Sequence, residues 1–254
     1  MRQRPGKGGV QSSRYCYVYC IIPTRKPCYF RLKGMDGAEL RVIHFKDIAA
    51  VVSDPLDKKY ELLDDGMIHE IVVEGVQKEF TVLPMGFGQV STEQDVKAFL
   101  NKNHSQFKQM LKKLDGKKEL GIKVMWDMKS VLREIVSSSN QIRKLQKKLS
   151  SQAEDVAYHT KMEIGRIVEE RLEKMGGEIS SEIIRRLNAS SENYTENMNF
   201  TSEMLLNAAF LVKNEKEEEF DRAVDEIDQQ YRHLVRIKYV TSPPYNFASL
   251  RIGR

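Results

Sequence analysis

The chain has 254 residues, 41% of them hydrophobic and 30% charged, a length and composition that allow one large or two small globular domains. No stretch approaches the roughly 20 apolar residues of a membrane-spanning helix, so we expect no membrane span. The formal net charge is +5, but residues 1–14 carry +4 of it through four basic side chains and no acid; the nearly neutral remainder disfavours a nucleic-acid-binding domain.

The start of the chain differs in composition from the rest. Residues 1–14 are rich in Gly, Gln, Ser and Arg, and we predict that they form a disordered basic arm. Three cysteines follow, Cys16, Cys20 and Cys28, and an odd number of cysteines favours a reducing, cytoplasmic location. Cys16 and Cys20 share one face of an extended strand, so we interpret them as buried thiols, because no histidine lies near them in sequence to complete a metal site.

The first half of the folded part reads as strands followed by helices. β-Branched and aromatic residues indicate strands, and apolar residues at helical spacing indicate helices. Ser91 and Gln94 form a capping-box pattern that predicts the start of the longer helix. In chain order we predict strands at residues 15–22, 40–45 and 48–53, a helix within residues 62–80, an interrupted strand at residues 81–90 and a long helix that ends at Gly116.

The second half contains a long, highly charged helical stretch between strands. Serine clusters punctuate the helices, and Gly176-Gly177 is expected to break one of them. Asn214 together with Glu217 is expected to cap a later helix. In chain order we predict a strand at residues 119–127, several helices, a strand pair at residues 194–200 and 204–212, a further helix and a last strand at residues 234–240.

This order predicts the fold class. Strand, helices, strand, strand, helix and strand form the βαββαβ path of a ferredoxin-like domain, here with an enlarged helical first crossover. We therefore expect an α+β fold with two domains, a strand-rich α/β unit at residues 15–117 and a ferredoxin-like domain at residues 118–254. Pro243 and Pro244 stop the last strand. The apolar residues beyond them predict that Tyr245 and Phe247 anchor this proline-rich tail on the second domain.

The sequence shows no recognisable arrangement of catalytic or ligand-binding residues. Four of the five histidines are isolated, and His69 lacks the second histidine four residues later that a zinc-binding helix needs. Gly86-Phe87-Gly88 lacks the third glycine of a dinucleotide-binding fingerprint. We therefore predict that the protein is not an enzyme and has no catalytic residue, no metal site and no cofactor.

Several segments carry a family resemblance. They are an opening strand at residues 17–23, a core strand at residues 47–53, a helix with His69-Glu70, a Leu-Pro-x-x-Phe-Gly-like turn at residues 82–88, strands at residues 121–124 and 204–212, and a closing Pro-x-Tyr-Asn-Phe-like segment at residues 243–247. In this order they resemble gas vesicle accessory proteins of the GvpF/GvpL family, over about residues 15–252. One departure is Gly86, where relatives often carry a basic residue.

The resemblance implies a function in assembly. A member of this family would be a cytoplasmic, gas-vesicle-associated accessory or minor structural protein. It would bind the small, hydrophobic gas vesicle shell protein and assist assembly, with other gas vesicle accessory proteins as further partners. Such binding needs an apolar strip rimmed by charge or a free sheet edge. The candidates are the edge strand with Leu40, Ile43 and Phe45 and the bend with Pro84 and Phe87.

Two other classes of function stay open at this point. A ferredoxin-like second domain could act as a ligand-sensing or regulatory module, which ligand-induced thermal stabilisation would reveal. The lysine-rich middle of the chain could instead serve a nucleic-acid-associated protein, and salt-sensitive binding to a labelled duplex would reveal that.

Overall fold

The computed structural model describes residues 14–57, 59–149 and 154–252, without the side chains of residues 154–156. These residues form two compact units. The first combines residues up to Gly116 with the segment that begins at Pro243, and the second is Lys117–Ser242. The second unit is therefore inserted into the sequence of the first. Apart from Arg14, the basic arm predicted for residues 1–14 lies outside the described residues.

A five-stranded antiparallel sheet forms the centre of the first unit. Its strands are β1 (Tyr15–Ile22), β2 (Arg41–Phe45), β3 (Ile48–Ser53), β4 (Leu83–Pro84) and β5 (Val90–Thr92). They lie in the order β2-β3-β1-β4, and β5 also pairs with β1. The strands β1 and β3 are buried along nearly their whole length. This burial on both faces explains why their sequences are continuous apolar runs rather than alternating ones.

Two helices cover the two faces of this sheet. They are α1 (Asp64–Gln77) and α2 (Glu93–Leu114). Val72, Val73 and Val76 of α1 pack with Tyr17 and Tyr19, which share one face of β1. The other face receives α2, which packs against β1, β2 and β3 through an apolar stripe at Val96, Leu100, Phe107, Leu111 and Leu114.

The start of α2 differs from the sequence-based prediction by one residue. The N-cap is Thr92, whose hydroxyl oxygen accepts a hydrogen bond from the backbone N–H of Asp95 at 3.1 Å. The predicted capping box of Ser91 and Gln94 is therefore wrong. Because β5 continues its pairing with β1 up to Thr92, Ser91 is still part of the strand and the helix begins only at Glu93. At the other end Gly116, with φ of +68°, follows α2 as expected.

A four-stranded antiparallel sheet forms the centre of the second unit, with the order β7-β8-β6-β9. The elements are β6 (Lys117–Trp126), α3 (Met128–Ser138), α4 (Asn140–Leu149), α5 (Glu154–Asn188), β7 (Asn193–Glu196), β8 (Met204–Lys213), α6 (Glu217–Tyr231) and β9 (Val235–Ser242). The core of this unit contains Leu120, Ile122 and Val124 of β6 together with apolar residues of helices α3, α4, α5 and α6.

Helix α5 continues through Gly176-Gly177, so the break predicted there is wrong. A Cβ atom at Gly176 would lie 3.0 Å from Leu205 Cδ1 and 3.4 Å from Trp126 Cζ2. The missing side chain therefore allows the helix to approach the sheet closely. The buried residues Ile179 and Ile183 follow in the same helix, and their packing offsets a glycine cost of about 1 kcal/mol per residue.

The start of α6 also differs from the prediction. Residues Asn214–Lys216 form a 3-10 turn, and the helix has no side-chain cap. The backbone carbonyl of Asn214, rather than its side chain, accepts the hydrogen bond from the N–H of Glu217. The predicted pairing of Asn214 with Glu217 as a side-chain cap is therefore wrong. Three acidic residues in the first turn still favour this helix end through the dipole.

The tail lies with the first unit, which corrects the predicted anchorage on the second. Pro243 and Pro244 are buried and are followed by a short helix, α7 (Tyr245–Ala248). Beyond it, Leu250 donates its backbone N–H to Pro84 O at 2.9 Å and accepts from Gly86 N at 2.7 Å. The prolines end β9 because they have no N–H to donate to its ladder of hydrogen bonds. The chain beyond the prolines finds its backbone hydrogen-bond partners at the edge of β4 instead.

Candidate functional site

A buried histidine links three segments of the first unit. His69 of α1 is 3% exposed; its Nδ1 lies 2.9 Å from the Tyr17 hydroxyl and its Nε2 lies 3.0 Å from Met85 O. Because a carbonyl oxygen only accepts, Nε2 carries the proton and Nδ1 accepts from Tyr17. The Tyr17 oxygen in turn accepts from the backbone N–H of Gly88 at 3.0 Å. This network holds the turn after β4 against β1 and α1.

Aromatic rings surround His69. The ring centroids of Tyr17 and Tyr19 lie 5.6 Å from that of His69, those of Phe87 and Tyr245 6.1 and 6.5 Å from it. Burial in this cluster lowers the pKa of His69 to about 4, because the imidazolium would lose its hydration. The neutral ring has both nitrogens in hydrogen bonds, so it stabilises the unit rather than offering a free base.

This cluster unites the segments that carried the family resemblance. Tyr17 comes from the opening strand, His69 from the first helix, Phe87 from the turn and Tyr245 from the tail. The tail residues Tyr245 and Phe247 are half-buried. The sequence did not predict the burial of His69, although its spacing of three, four and seven residues from Val72, Val73 and Val76 places it on the core face of α1.

Gly86 permits the tail to approach the turn. A Cβ at this position would lie 3.2 Å from Arg251 Nε. The guanidinium of Arg251 therefore stands beside the position where relatives were expected to carry a basic residue. The tail thus brings its own basic side chain to the turn.

The residues predicted to bind a partner do not form one surface. Leu40, Ile43 and Pro84 are buried, and Phe45 and Phe87 are half-buried. The strand β2 lies at one edge of the sheet and β4 at the opposite edge. The side chains of the buried three are therefore part of the core, and β2 offers mainly its backbone edge.

An exposed apolar row on α1 is the feature that the sequence reasoning missed. Leu63, at the N-cap, is 83% exposed, Met67 64% and Ile71 53%. Residues four apart lie on the same side of a helix, so these three, here called the α1 stripe, form a row opposite the buried His69. Helix α1 carries apolar residues on two sides, more than a single stripe facing the core requires. This surplus of apolar residues is the sequence signal that could have indicated the exposed row.

Acidic side chains border the α1 stripe. Asp64, Glu70 and Glu74 are exposed, and α1 contains no lysine or arginine. Within the part of the chain that the structure describes, none of the three forms an ion pair. An apolar row with negative flanks is a surface suited to a partner that is apolar and positively flanked.

Other chemistry is sparse in the described residues. Cys16 and Cys20 are buried, as predicted, and burial raises the pKa of the Cys16 thiol to about 11. The prediction that they share one face is wrong, because β1 has a register shift between Val18 and Cys20 that turns Cys20 toward the cluster of Tyr17. Residues 14–57, 59–149 and 154–252 contain no group of three or more His, Cys, Asp or Glu side chains that could hold a metal ion. In the same residues no helix has both the length and the apolar character to cross a membrane.

Comparisons with known proteins agree over nearly the whole chain. The family model for "Gas vesicle synthesis protein GvpL/GvpF" matches residues 15–249. Gas vesicle protein F of Dolichospermum flosaquae is 28% identical over 240 residues, which cover 92% of this chain and 97% of the relative. Gas vesicle protein F1 of Halobacterium salinarum is 28% identical over 245 residues, which cover 93% and 94%.

Solved structures show the same architecture. The crystal structure of the gas vesicle protein GvpF from Anabaena sp. PCC7120 superposes with a TM-score of 0.81 at 27% identity, covering 94% of this chain and 99% of that one. GvpF from Microcystis aeruginosa gives a TM-score of 0.73 at 28% identity, with coverage of 93% and 99%. The arrangement of helices and two sheets is therefore shared with these proteins.

Proposed function

Because the chain belongs to the GvpL/GvpF family of gas vesicle synthesis proteins, we propose that it is a non-enzymatic accessory protein that binds the small, hydrophobic shell protein and assists gas vesicle assembly. The observation that carries this proposal is the α1 stripe, an exposed apolar row with acidic flanks. We place the encounter in the cytoplasm, before the shell protein enters its lattice, with other gas vesicle accessory proteins as further partners.

The α1 stripe suits reversible binding of an apolar protein. Burying one exposed side chain of the size of Leu, Met or Ile contributes about 1–2 kcal/mol when it is partly exposed at the start. Three such side chains, together with the apolar surface that the partner buries against them, contribute roughly 6–12 kcal/mol, most of which is offset by the cost of association. The result is a weak complex, which an assembly factor needs if it is to release the subunit. The acidic flanks keep the free surface soluble and favour basic neighbours on the partner.

The edge strand β2 is a second candidate contact. Among the strands that the structure describes, β2 pairs with β3 alone. Phe45 and Ile48 close the hairpin between them, so Val42 and His44 direct their backbone groups away from β3. An extended segment of the shell protein could add to this edge by β-augmentation, with half-buried Phe45 at its end.

We also propose that the second unit is a ferredoxin-like domain with an enlarged first crossover. The path from β6 through three helices to β7, β8, α6 and β9 supports this assignment, as does the strand order β7-β8-β6-β9 with every pair antiparallel. An experimental structure with β6 at a sheet edge would contradict it.

Capture of the tagged shell protein from co-expressing cells tests the α1 stripe. Met67→Glu and Ile71→Glu each place a charge in the apolar contact, and we expect at least about a tenfold loss of captured protein. Both side chains are exposed, so the melting temperature should stay within about 2 °C of the wild type.

Two further variants complete this experiment. Tyr29 is 93% exposed in the first unit, so Tyr29→Glu is a matched control that should capture the wild-type amount. Phe45→Glu tests the β2 edge separately. Capture that is equal for the wild type, Met67→Glu and Ile71→Glu would contradict the proposed surface.

A further inference from the structure

A second docking surface lies in the second unit, between α3 and α4. It is a shallow, open groove with a volume of about 640 Å³ and a mostly apolar lining. Leu132 and Val136, one helical turn apart on α3, supply the apolar surface, and Leu132 is exposed. Lys129, Arg133 and Arg143 also line the groove, with their aliphatic stems on the apolar side.

The charge along this groove is positive and uncompensated. Lys129 and Arg133 form no ion pair with any residue that the structure describes, and Arg143 donates to the neutral side chain of Asn140. No described carboxylate lines the groove. An apolar groove with basic borders recognises an amphipathic helix with acidic flanks.

The same chain carries a helix with these properties. The α1 stripe is apolar, and Glu70 and Glu74 stand beside it one helical turn apart. Lys129 and Arg133 have the same four-residue spacing on α3, which corresponds to about 6 Å along each helix axis. We propose that the groove between α3 and α4 binds the α1 stripe of a second copy of this chain, with Glu70 and Glu74 facing Lys129 and Arg133.

This inference rests on the proposed function, because it gives the shell-binding surface a second occupant. An exposed apolar row promotes aggregation of a protein that is not yet bound to its partner. Docking between copies covers the row in the absence of the shell protein. The shell protein and the second copy then compete for the α1 stripe, and binding of the shell protein releases copies from each other.

The size of the contact sets the strength that we expect. A single helical face against a short groove buries less than the area of about 1,200 Å² that marks a stable complex. The association is therefore weak, with a dissociation constant that is roughly micromolar or higher. Since four charged residues contribute, raising the salt concentration weakens it.

Light scattering after size exclusion, at about 20–500 µM protein and low salt, measures this association. We expect the weight-average mass of the wild type to rise with concentration. Arg133→Glu and Glu70→Lys each place like charges together, so either variant alone should stay monomeric. Lys97→Glu, which makes the same change of charge on the exposed surface of α2, is the control and should associate as the wild type does.

Mixing the two variants gives the sharpest result. In an equimolar mixture the Glu70→Lys chain and the Arg133→Glu chain regain opposite charges only in contacts with each other, so association should return. A wild type that stays monomeric throughout, or a mixture that does not regain association, would overturn the inference.

Shell-protein capture separates this inference from the proposed function. Arg133→Glu should leave capture unchanged or raise it, because it frees the α1 stripe. If Arg133→Glu lowers capture, the groove belongs to the shell-binding surface and docking between copies is wrong. If Met67→Glu abolishes self-association but leaves capture intact, the proposed surface for the shell protein fails while docking between copies stands.

Discussion

Replacement of Tyr245 with alanine measures how strongly the tail holds the first unit together. Its half-buried ring lies 6.5 Å from the ring of His69, and burial raises the pKa of its hydroxyl. Removing a fully buried large aromatic side chain costs about 3–5 kcal/mol. For this half-buried ring we expect about 2 kcal/mol, with the loss confined to the first unit.

Hydrogen exchange followed by peptide mass spectrometry locates this loss. A loss of about 2 kcal/mol corresponds to about 30-fold faster exchange. We expect that acceleration in peptides from β1 and β4 of the Tyr245→Ala variant, and unchanged exchange in β6 and β8. Tyr29→Ala is the matched control, since Tyr29 is 93% exposed in the same unit, and it should exchange as the wild type does.

The opposite pattern would refute the reasoning. If Tyr245→Ala accelerates exchange in β6 and β8 but not in β1 and β4, the tail stabilises the second unit, as the sequence alone suggested. Truncation after Ser242 sharpens the comparison, because it also removes the backbone hydrogen bonds of Leu250 with Pro84 and Gly86. It should therefore destabilise the first unit more than Tyr245→Ala does.

Two other changes test the buried histidine and the long helix. Since the pKa of His69 is about 4 in the folded protein and about 6.5 when unfolded, the unfolded state gains the proton first. The wild type should then lose up to about 3 kcal/mol of unfolding free energy as the pH falls from 6.5 to 4. His69→Gln should lack this part of the pH dependence in urea unfolding, and parallel curves for the two proteins would contradict the assignment. In α5, a Cβ at Gly177 has no described neighbour within 4 Å, whereas one at Gly176 meets Leu205 at 3.0 Å. Gly177→Ala should therefore stabilise the second unit by about 1 kcal/mol, and Gly176→Val should destabilise it by about 1–3 kcal/mol. The fluorescence of the single tryptophan, Trp126, follows the unfolding of this unit. Changes in stability of the same sign in the two variants would be inconsistent with this packing.

The strands of the first unit could be predicted because local sequence determines them. Tyr15–Ile22 and Ile48–Ser53 are apolar runs bounded by a proline or a turn, and the structure has strands with the same bounds. Their burial on both faces leaves little conflict between local preference and tertiary environment. The presence of the helices could be predicted for the same reason. The N-caps at Thr92 and near Glu217 could not be predicted, because their positions depend on where the preceding strand ends.

The features that escaped prediction depend on contacts between distant parts of the chain. The place of the tail depends on the free edge of β4, about 160 residues earlier in the sequence, and no local pattern specifies that partner. Gly176-Gly177 would be expected to break an isolated helix. In this protein α5 packs so closely against the sheet that a residue without a side chain is favoured at Gly176, and the helix continues. The apolar residues of the α1 stripe are not part of the core. The sequence does not distinguish them from the buried apolar residues around His69, and only the structure does.

Site-specific crosslinking in cells that form gas vesicles tests the central claim most directly. A photoreactive benzoylphenylalanine in place of Met67 should crosslink to the shell protein, and the same group in place of Tyr29 should not. A crosslink from the Tyr29 position, or its absence from the Met67 position in a folded protein, would contradict binding through the α1 stripe.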